Sequence, residues 1–404
     1  MASKTTAPPD FSAVRAMFPG ARDKVYMGVP ARGLPPSTGR AALDTYLDQY
    51  VDGTIDKDAN FEAIERVRAK YARLINANAD DIAFTKNVSE GLNHIAASLP
   101  WQAGDNVIVC RELEHPNNIY PWLNLQERFG VEVRAIPDRD GAVDVEAMLG
   151  AIDSRTRLLT VASVTFAPGF RTDLETLGRA CRETGVFFLV DGVQSVGVVE
   201  TDVRKLMIDG MAVSTQKALL GLYGMGFLYC RRDWADRIRP AALARFSVDL
   251  GNDTHEAVMG DDGYDLMPGA RRFDIGNYNF PAAIAVEPSL DLLLELGPSA
   301  VEAYACGLSH RLAGGLHQLG LPVSGGPPGP HLAHIVTAGA YKPDQHDASG
   351  DPQTDALYHH LSENDVHLTV RRGMLRFGLH VYNDESDVER VLDLVKEWQA
   401  CRAA

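Results

Sequence analysis

The sequence predicts an α/β protein, with a large domain on an open, mostly parallel sheet and a smaller α+β domain behind it. Three observations carry the prediction. Between about residues 81 and 230, short apolar runs alternate with helical patterns, as in strands joined by crossover helices. Further on, "GLPVSGGPPGP" (320–330) reads as a linker or domain boundary by its Gly and Pro content. The 74 residues that follow alternate strand, helix, strand and helix.

Taken in order, strands are expected at 82–84, 106–110, 131–136, 157–164, 186–190, 210–213 and 226–230, with helices such as 89–98 and 174–184 between them. Residues 246–272 are polar and rich in Gly and Asp, and read as a long loop. Two helical patterns follow, at 281–296 and 298–319. The expected division is a large domain over 20–285 and a small one over 286–404, the latter joined by an N-terminal arm, 1–19. Ligands of such folds sit at the carboxyl ends of the strands. The residues just after apolar runs are therefore the ones to inspect.

Composition narrows the function classes. The chain has 404 residues, 39 of them basic and 54 acidic, for a net charge of −15. Such a surface repels phosphate backbones, so nucleic-acid binding is not expected. No apolar run reaches the roughly 18 residues that a membrane span needs. The first ten residues lack the apolar core of a secretion signal. Cys110, Cys181, Cys230, Cys306 and Cys401 are scattered, with no CxxC pair. That usage fits reduced thiols in a cytoplasm better than a disulfide frame or a zinc site.

The chemistry gathers around one lysine. Nine lysines stand against thirty arginines, and none occurs between Lys86 and Lys205 or between Lys217 and Lys342. In "VSTQKALLGLYGMGFLY" (213–229) the chain keeps Lys217 between a hydroxyl pair and a run of glycines. Arginine cannot lose its proton near neutrality, so a lysine here points to a nucleophilic amine. Upstream, "VFFLVDGVQSVG" (186–197) is an apolar strand ending in Asp191. A carboxylate in that place costs desolvation unless it meets a cation or a donor. Taken singly, Asp191 reads equally well as a helix cap and Lys217 as a surface lysine. Together they suit pyridoxal 5'-phosphate, which needs a lysine for its Schiff base and a carboxylate to keep its pyridine nitrogen protonated.

Two more stretches support that pair. In "FTKNVSEGLNHIAASL" (84–99) a strand ends, Asn87, Val88 and Ser89 turn, and a helix begins. The free N–H groups and positive end of the helix would suit a phosphate, although Ser89 alone is a plain helix cap. "CRELEHPNNIYPW" (110–122) follows another strand, with His115 able to lie flat on a cofactor ring and Asn118 polar beside it. A loop histidine alone is more often a surface residue.

These motifs resemble the class V aminotransferases, a group of fold-type-I pyridoxal-phosphate enzymes. The group includes cysteine desulfurases, isopenicillin N epimerases, kynureninases and serine/alanine–glyoxylate aminotransferases. The resemblance rests on Asp191-Gly-Val-Gln-Ser195, on Ser214-Thr-Gln-Lys217, and on Gly221, Gly224 and Gly226 ahead of "FLY". It extends to "FDIGNYNFPA" (273–282) and "VRRGMLRFGLHVYN" (370–383), and so runs from about Asp81 onward.

The resemblance implies the fold-type-I transferase fold and a homodimer with its active site at the subunit interface. It implies that Lys217 forms the Schiff base, Asp191 binds the pyridine nitrogen, Gln194 the ring hydroxyl, and His115 stacks on the ring. Val88, Ser89, Ser214 and Gln216 would hold the phosphate, and Asn277 would reach the phosphate of the neighbouring subunit. Arg376 would pair with the substrate carboxylate, with Arg371 or Arg372 as the fallback. Three positions depart from the pattern. Gln216 replaces a common histidine, nearer the serine/alanine–glyoxylate branch. Thr165 and Phe166 stand where relatives often have Gln or Asn near the ring hydroxyl, and Leu222 replaces a Pro.

The implied activity is transformation of a small amino-acid substrate at its α-carbon. The Ser-x-Gln-Lys pattern favours transamination; C–S lyase (β-elimination) and epimerisation are the alternatives. A desulfurase working through a protein persulfide is not expected, because 331–376 contains no cysteine. A different class would be a metal-binding protein using His331, His334, His346, His359 and His360. His331 and His334 lie in a strand-like run, however, where positions three apart point to opposite faces. A non-catalytic module of the same fold is a third reading, and the intact Lys217–Asp191 pair argues against it.

Overall fold

The computed structural model describes residues 9–250 and 263–403. Seven strands form the main sheet: β1 (Ile82–Thr85), β2 (Asn106–Val109), β3 (Glu132–Ala135), β4 (Thr156–Ala162), β5 (Phe187–Asp191), β6 (Gly210–Ser214) and β7 (Gly226–Cys230). Their order is β1-β7-β6-β5-β4-β2-β3. Only β7 is antiparallel to its neighbours; every other adjacent pair is parallel. Each strand read from an apolar run is present. The run at 157–164 ends at Ala162, because the chain turns there and Val164 bridges back to Arg171.

The apolar runs are long because the sheet is covered on both faces. Val107, Ile108 and Val109, like Phe187 through Val190, are fully buried, as expected for parallel strands under helices. The crossover helix Leu174–Thr184 begins with Asp173 accepting from Thr176 N and stops at Gly185, whose φ is 74°. That left-handed conformation favours glycine at a helix end. At the sheet edge, β1 is closed by side chains: Phe84 N donates to Asp274 Oδ1 at 2.7 Å, and Arg68 donates to Ile82 O at 2.6 Å. Arg68 and Asp274 form a buried ion pair at 2.9 Å, so the edge exposes little pairing surface.

The second sheet is antiparallel, β8 (Ile335–Ala338), β10 (Met374–Gly378) and β9 (Thr369–Arg371) in that order. Helices Pro298–Gln318, Pro352–Glu363 and Glu385–Ala403 share its core through Leu312, Leu361, Phe377 and Val391. Stretch 320–330 is no domain boundary. Val323 bridges Ala338 and packs into that same core, while Gly325 and Gly326 adopt positive φ. Its Gly and Pro content marks a turn inside the small domain.

Near the beginning of the described chain, Val25–Tyr26 pairs with Val366–His367 in a separate two-stranded sheet; Val25 and Met27 pack into the small domain's core, whereas Val14, Phe18 and Ala21 pack into the core of the large layer. Helix Phe280–Leu296 packs instead against Ser37–Val51 and Lys57–Leu74 of the large layer. We propose the turn at Gly297 as the dividing point. Within 246–272, Val248–Asp249 pairs with Asp265–Leu266 and Gly269–Phe273 forms a short 3-10 helix; residues 251–262 lie outside the described chain. No described helix is long and apolar enough to cross a membrane.

Candidate active site

The carboxyl ends of the parallel strands open on one cavity of about 600 Å³, which the small domain covers from the other side. β5 delivers Asp191 to its wall, buried, with Oδ1 accepting from Val193 N at 3.0 Å. β6 ends at Ser214, and Lys217 follows in a tight turn. Thr215 Oγ1 bonds Leu222 O at 2.6 Å and Gly221 N returns to Thr215 O at 2.8 Å, so the turn is held from within. Gly226 is needed for the next strand to pass: a Cβ there would lie 2.3 Å from Val213 O and 3.1 Å from Asn87 Cα.

After β1 the helix Val88–Ser98 begins at the cavity, capped by Asn87 Oδ1, which accepts from Glu90 N at 3.0 Å. Val88 N donates to Ser214 Oγ at 2.8 Å, tying the helix start to the end of β6. His115 follows β2, with Nδ1 accepting from Asn117 N and the ring edge-on to Phe166 at 5.6 Å. Gln194 donates to Pro30 O at 2.9 Å. Across the cavity, Arg376 on β10 gives Nε to Thr369 Oγ1 at 3.0 Å and Nη1 to Phe166 O at 2.8 Å. It is 2% exposed. Among the described residues no carboxylate pairs with it.

Burial sets the charges. The Lys217 amine is pushed down to about 8 by burial and by Arg376 and Arg371, against the pull of Asp191. Burial raises Asp191, opposed by the Val193 N–H and Lys217. His115 falls to about 4, from burial first and Lys217 second, so its ring is neutral near pH 7. Arg376 is pushed down to about 9 by burial and by Arg371. The lysine thus gives up its proton closer to neutrality than an ordinary amine does.

The family model for class-V aminotransferases matches residues 45–391. The chain belongs to this family. A probable cysteine desulfurase of Methanothermobacter thermautotrophicus is 30% identical over 399 residues, covering 95% of this chain and 97% of that protein. An uncharacterized aminotransferase of Bacillus subtilis is 27% identical over 360 residues, 89% of this chain and 90% of that one. Among solved structures, the apo cysteine desulfurase of Thermococcus onnurineus NA1 superposes with a TM-score of 0.83 at 26% identity, covering 98% of this chain and 99% of that one. A cystine C–S lyase in complex with cysteine persulfide gives 0.81 at 22% identity, over 94% of this chain and 98% of that one, and shows the fold alone. The fold is that of the fold-type-I pyridoxal-phosphate enzymes, and this class-V family member is a pyridoxal-phosphate-dependent enzyme.

The residues of this class-V member fit that cofactor. A half-buried amine with a lowered pKa faces the cavity, a buried carboxylate stands at a neighbouring strand end, and a helix start opens on the same space. Val88, Ser89, His115, Asp191, Gln194, Ser214, Gln216, Lys217, Arg371 and Arg376 all line it.

Asn118 and Asn277 do not. Asn118 is fully buried behind the wall, where Nδ2 donates to Glu114 Oε2 at 2.8 Å and to Thr160 Oγ1 at 3.0 Å. Its amide is committed to the protein. Asn277 is exposed on a separate recess shared with Lys86, Glu90 and Gly224.

Sequence reasoning passed over several residues. Glu114 is buried, accepts from Ala162 N at 2.6 Å, and is raised to about 8 by burial and by Asp191. Its only signal is an acid directly before His115. Pro30 and Ala31 line the cavity from a distant segment, without a motif, and Tyr223 lines it from within the Lys217 stretch itself. His346 also lines it, whereas His331, His334, His359 and His360 do not; among the described residues no group of three or more His, Cys, Asp or Glu is placed to hold a metal. None of the five cysteines lines it either, and burial pushes the Cys110 and Cys181 thiols up to about 12.

Proposed function

We propose that Lys217 carries the pyridoxal phosphate and that the substrate is an amino acid whose carboxylate seats on Arg376. One observation carries this reading: Arg376 is a buried guanidinium facing the same cavity as Lys217, without a carboxylate partner among the described residues. A buried cation without an anion is costly, so the cavity favours an incoming carboxylate. A guanidinium fork matches that group.

When bound, the cofactor supplies an electrophilic carbon for the substrate amine and a sink for electrons left at Cα. Lys217 Nζ, lowered to about 8, takes and returns the Cα proton near neutral pH. The Asp191 carboxylate holds the proton of the pyridine nitrogen. His115, neutral, covers the ring face, and Gln194 meets the ring hydroxyl. Ser214, Gln216, Ser89 and the Val88 end of the helix take the phosphate. Asn277, exposed beside Gly224, reaches the phosphate of a second subunit in a homodimer. The acidic surface and unpaired thiols suit a cytoplasmic enzyme.

Transamination is the first reading of the outcome, from the Ser214-Thr-Gln-Lys217 pattern. C–S bond cleavage is the second, favoured by the relatives named as cysteine desulfurases. With no thiol lining the cavity, sulfur would then leave by elimination, without a protein persulfide. The test is an absorbance screen of the purified holoenzyme against single amino acids, followed by assay for 2-oxo acid, ammonia and sulfide. A 2-oxo acid with retained nitrogen supports transamination; ammonia with sulfide supports cleavage. No spectral response to any amino acid would sink both.

A further inference from the structure

Three successive carbonyls around Lys217 are each held by a different part of the chain. Gln216 O accepts from Gly33 N at 2.8 Å, and Lys217 O accepts from Leu220 N at 2.9 Å inside the turn. Ala218 O is bonded by His380 Nε2 at 2.9 Å, from the small domain. The packing around them is close. A Cβ on Gly33 would lie 2.2 Å from Lys217 O, and one on Gly197 would lie 2.3 Å from Ala218 O.

His380 is fully buried, and its tautomer follows from its partners. Val381 N donates to Nδ1 at 2.7 Å, so the ring proton is on Nε2 and points at the Ala218 carbonyl. The ring stacks on Tyr382 with 16° between planes, and Asn383 Oδ1 accepts from His380 N at 3.0 Å. The imidazole is thus oriented on several sides. It stands four positions after Arg376, directly beyond the end of β10.

We propose that His380 is a positioning residue that keeps Lys217 in register with Arg376. The substrate's amino and carboxylate groups share one carbon, so the lysine and the arginine must be set relative to each other. They come from different domains, and the His380 to Ala218 bond joins the segment following β10 to the peptide that follows Lys217. A displacement of about 1 Å at a reacting centre costs up to roughly 100-fold in rate. The proposal rests on the reading of Lys217 as the cofactor lysine.

The test compares His380→Phe, which keeps a stacking ring and loses the donor, with His380→Gln, which restores an N–H. In the holoenzyme, His380→Phe is expected to retain cofactor and the KM for the amino acid, with kcat lowered roughly 10-fold. The midpoint of the pH-dependent absorbance change of the bound cofactor is expected to move from that of the parent. Asp191, Arg371, Arg376 and His115 remain in place around Lys217, so that displacement reads position. His380→Gln is expected to recover most of both effects. A His380→Phe protein with the parent's kcat and midpoint, altered only in thermal stability, would overturn the role of His380. So would a folded His380→Gln protein that recovers neither effect. Borohydride reduction of the parent tests the premise separately: cofactor fixed on a lysine other than Lys217 would overturn the underlying reading.

Discussion

The floor and the mouth of the cavity are built by different means. On the floor, Asp191, Ser214 and the Val88 helix start sit at strand ends and are held by backbone N–H groups: Val88 N bonds Ser214 Oγ, and Val193 N bonds Asp191 Oδ1. At the mouth, Arg376, Arg371, His346 and Tyr223 arrive from the small sheet and from loops. Even two arginines five positions apart differ. Arg371 is ion-paired with Asp347, while Arg376 lies deeper, without a carboxylate partner among the described residues. On the proposed reading, the floor carries the chemistry and the mouth chooses what undergoes it.

The comparison breaks most readily at Lys217. Lys217→Ala is expected to lower turnover by on the order of 10³-fold or more. Borohydride should then leave no cofactor attached, as read by peptide mass. An adduct persisting on another lysine rejects the assignment.

Asp191→Ala comes next, with a barrier rise on the order of 4 kcal/mol, or roughly 10³-fold in kcat. Near-normal turnover would show that the floor does not depend on this carboxylate. At the mouth, Arg376→Leu is expected to reduce kcat/KM for the amino acid by roughly 100-fold, the worth of a charge-assisted hydrogen bond pair. The absorbance of bound cofactor should be retained. Arg371→Met should cost far less, because Asp347 already occupies its guanidinium. Equal losses at both arginines would erase the distinction between them.

The smallest effect is on stability and sharpens the view of the floor. Glu114 is raised from an ordinary 4.5 to about 8. As pH climbs through that window the unfolded chain releases a proton that the folded chain keeps, so the parent loses stability. Glu114→Gln carries no such loss. In urea unfolding of cofactor-free protein, the variant should gain on the parent as pH rises from about 5 to about 8. A gain in the opposite direction would show that Glu114 is ionised in the fold.

The same division governs how much was legible in the sequence. Floor residues follow apolar runs directly, and a strand that must be buried on both faces announces its own end. Asp191, Lys217 and the turn at Asn87 were therefore readable. The place of Asn118 was not: one step along the 3-10 turn Pro116–Asn118 turns a side chain from cavity to interior, below the resolution of a loop reading. Pro30 and His346 reach the site only through tertiary packing. The Gly/Pro stretch misled for a local reason, since positive-φ turns have the same composition whether they join domains or fold back within one.

The clamp on the Lys217 turn also bears on how the protein is made. Gly33 is synthesised well before that lysine, and His380 well after it, yet both bond its immediate neighbours. During translation the seven-stranded layer can assemble from β1 to β7 while one of these supports is still missing. The last tie on the lysine turn, from His380 to Ala218 O, can therefore form only after the segment beyond β10 has been made and packed against it.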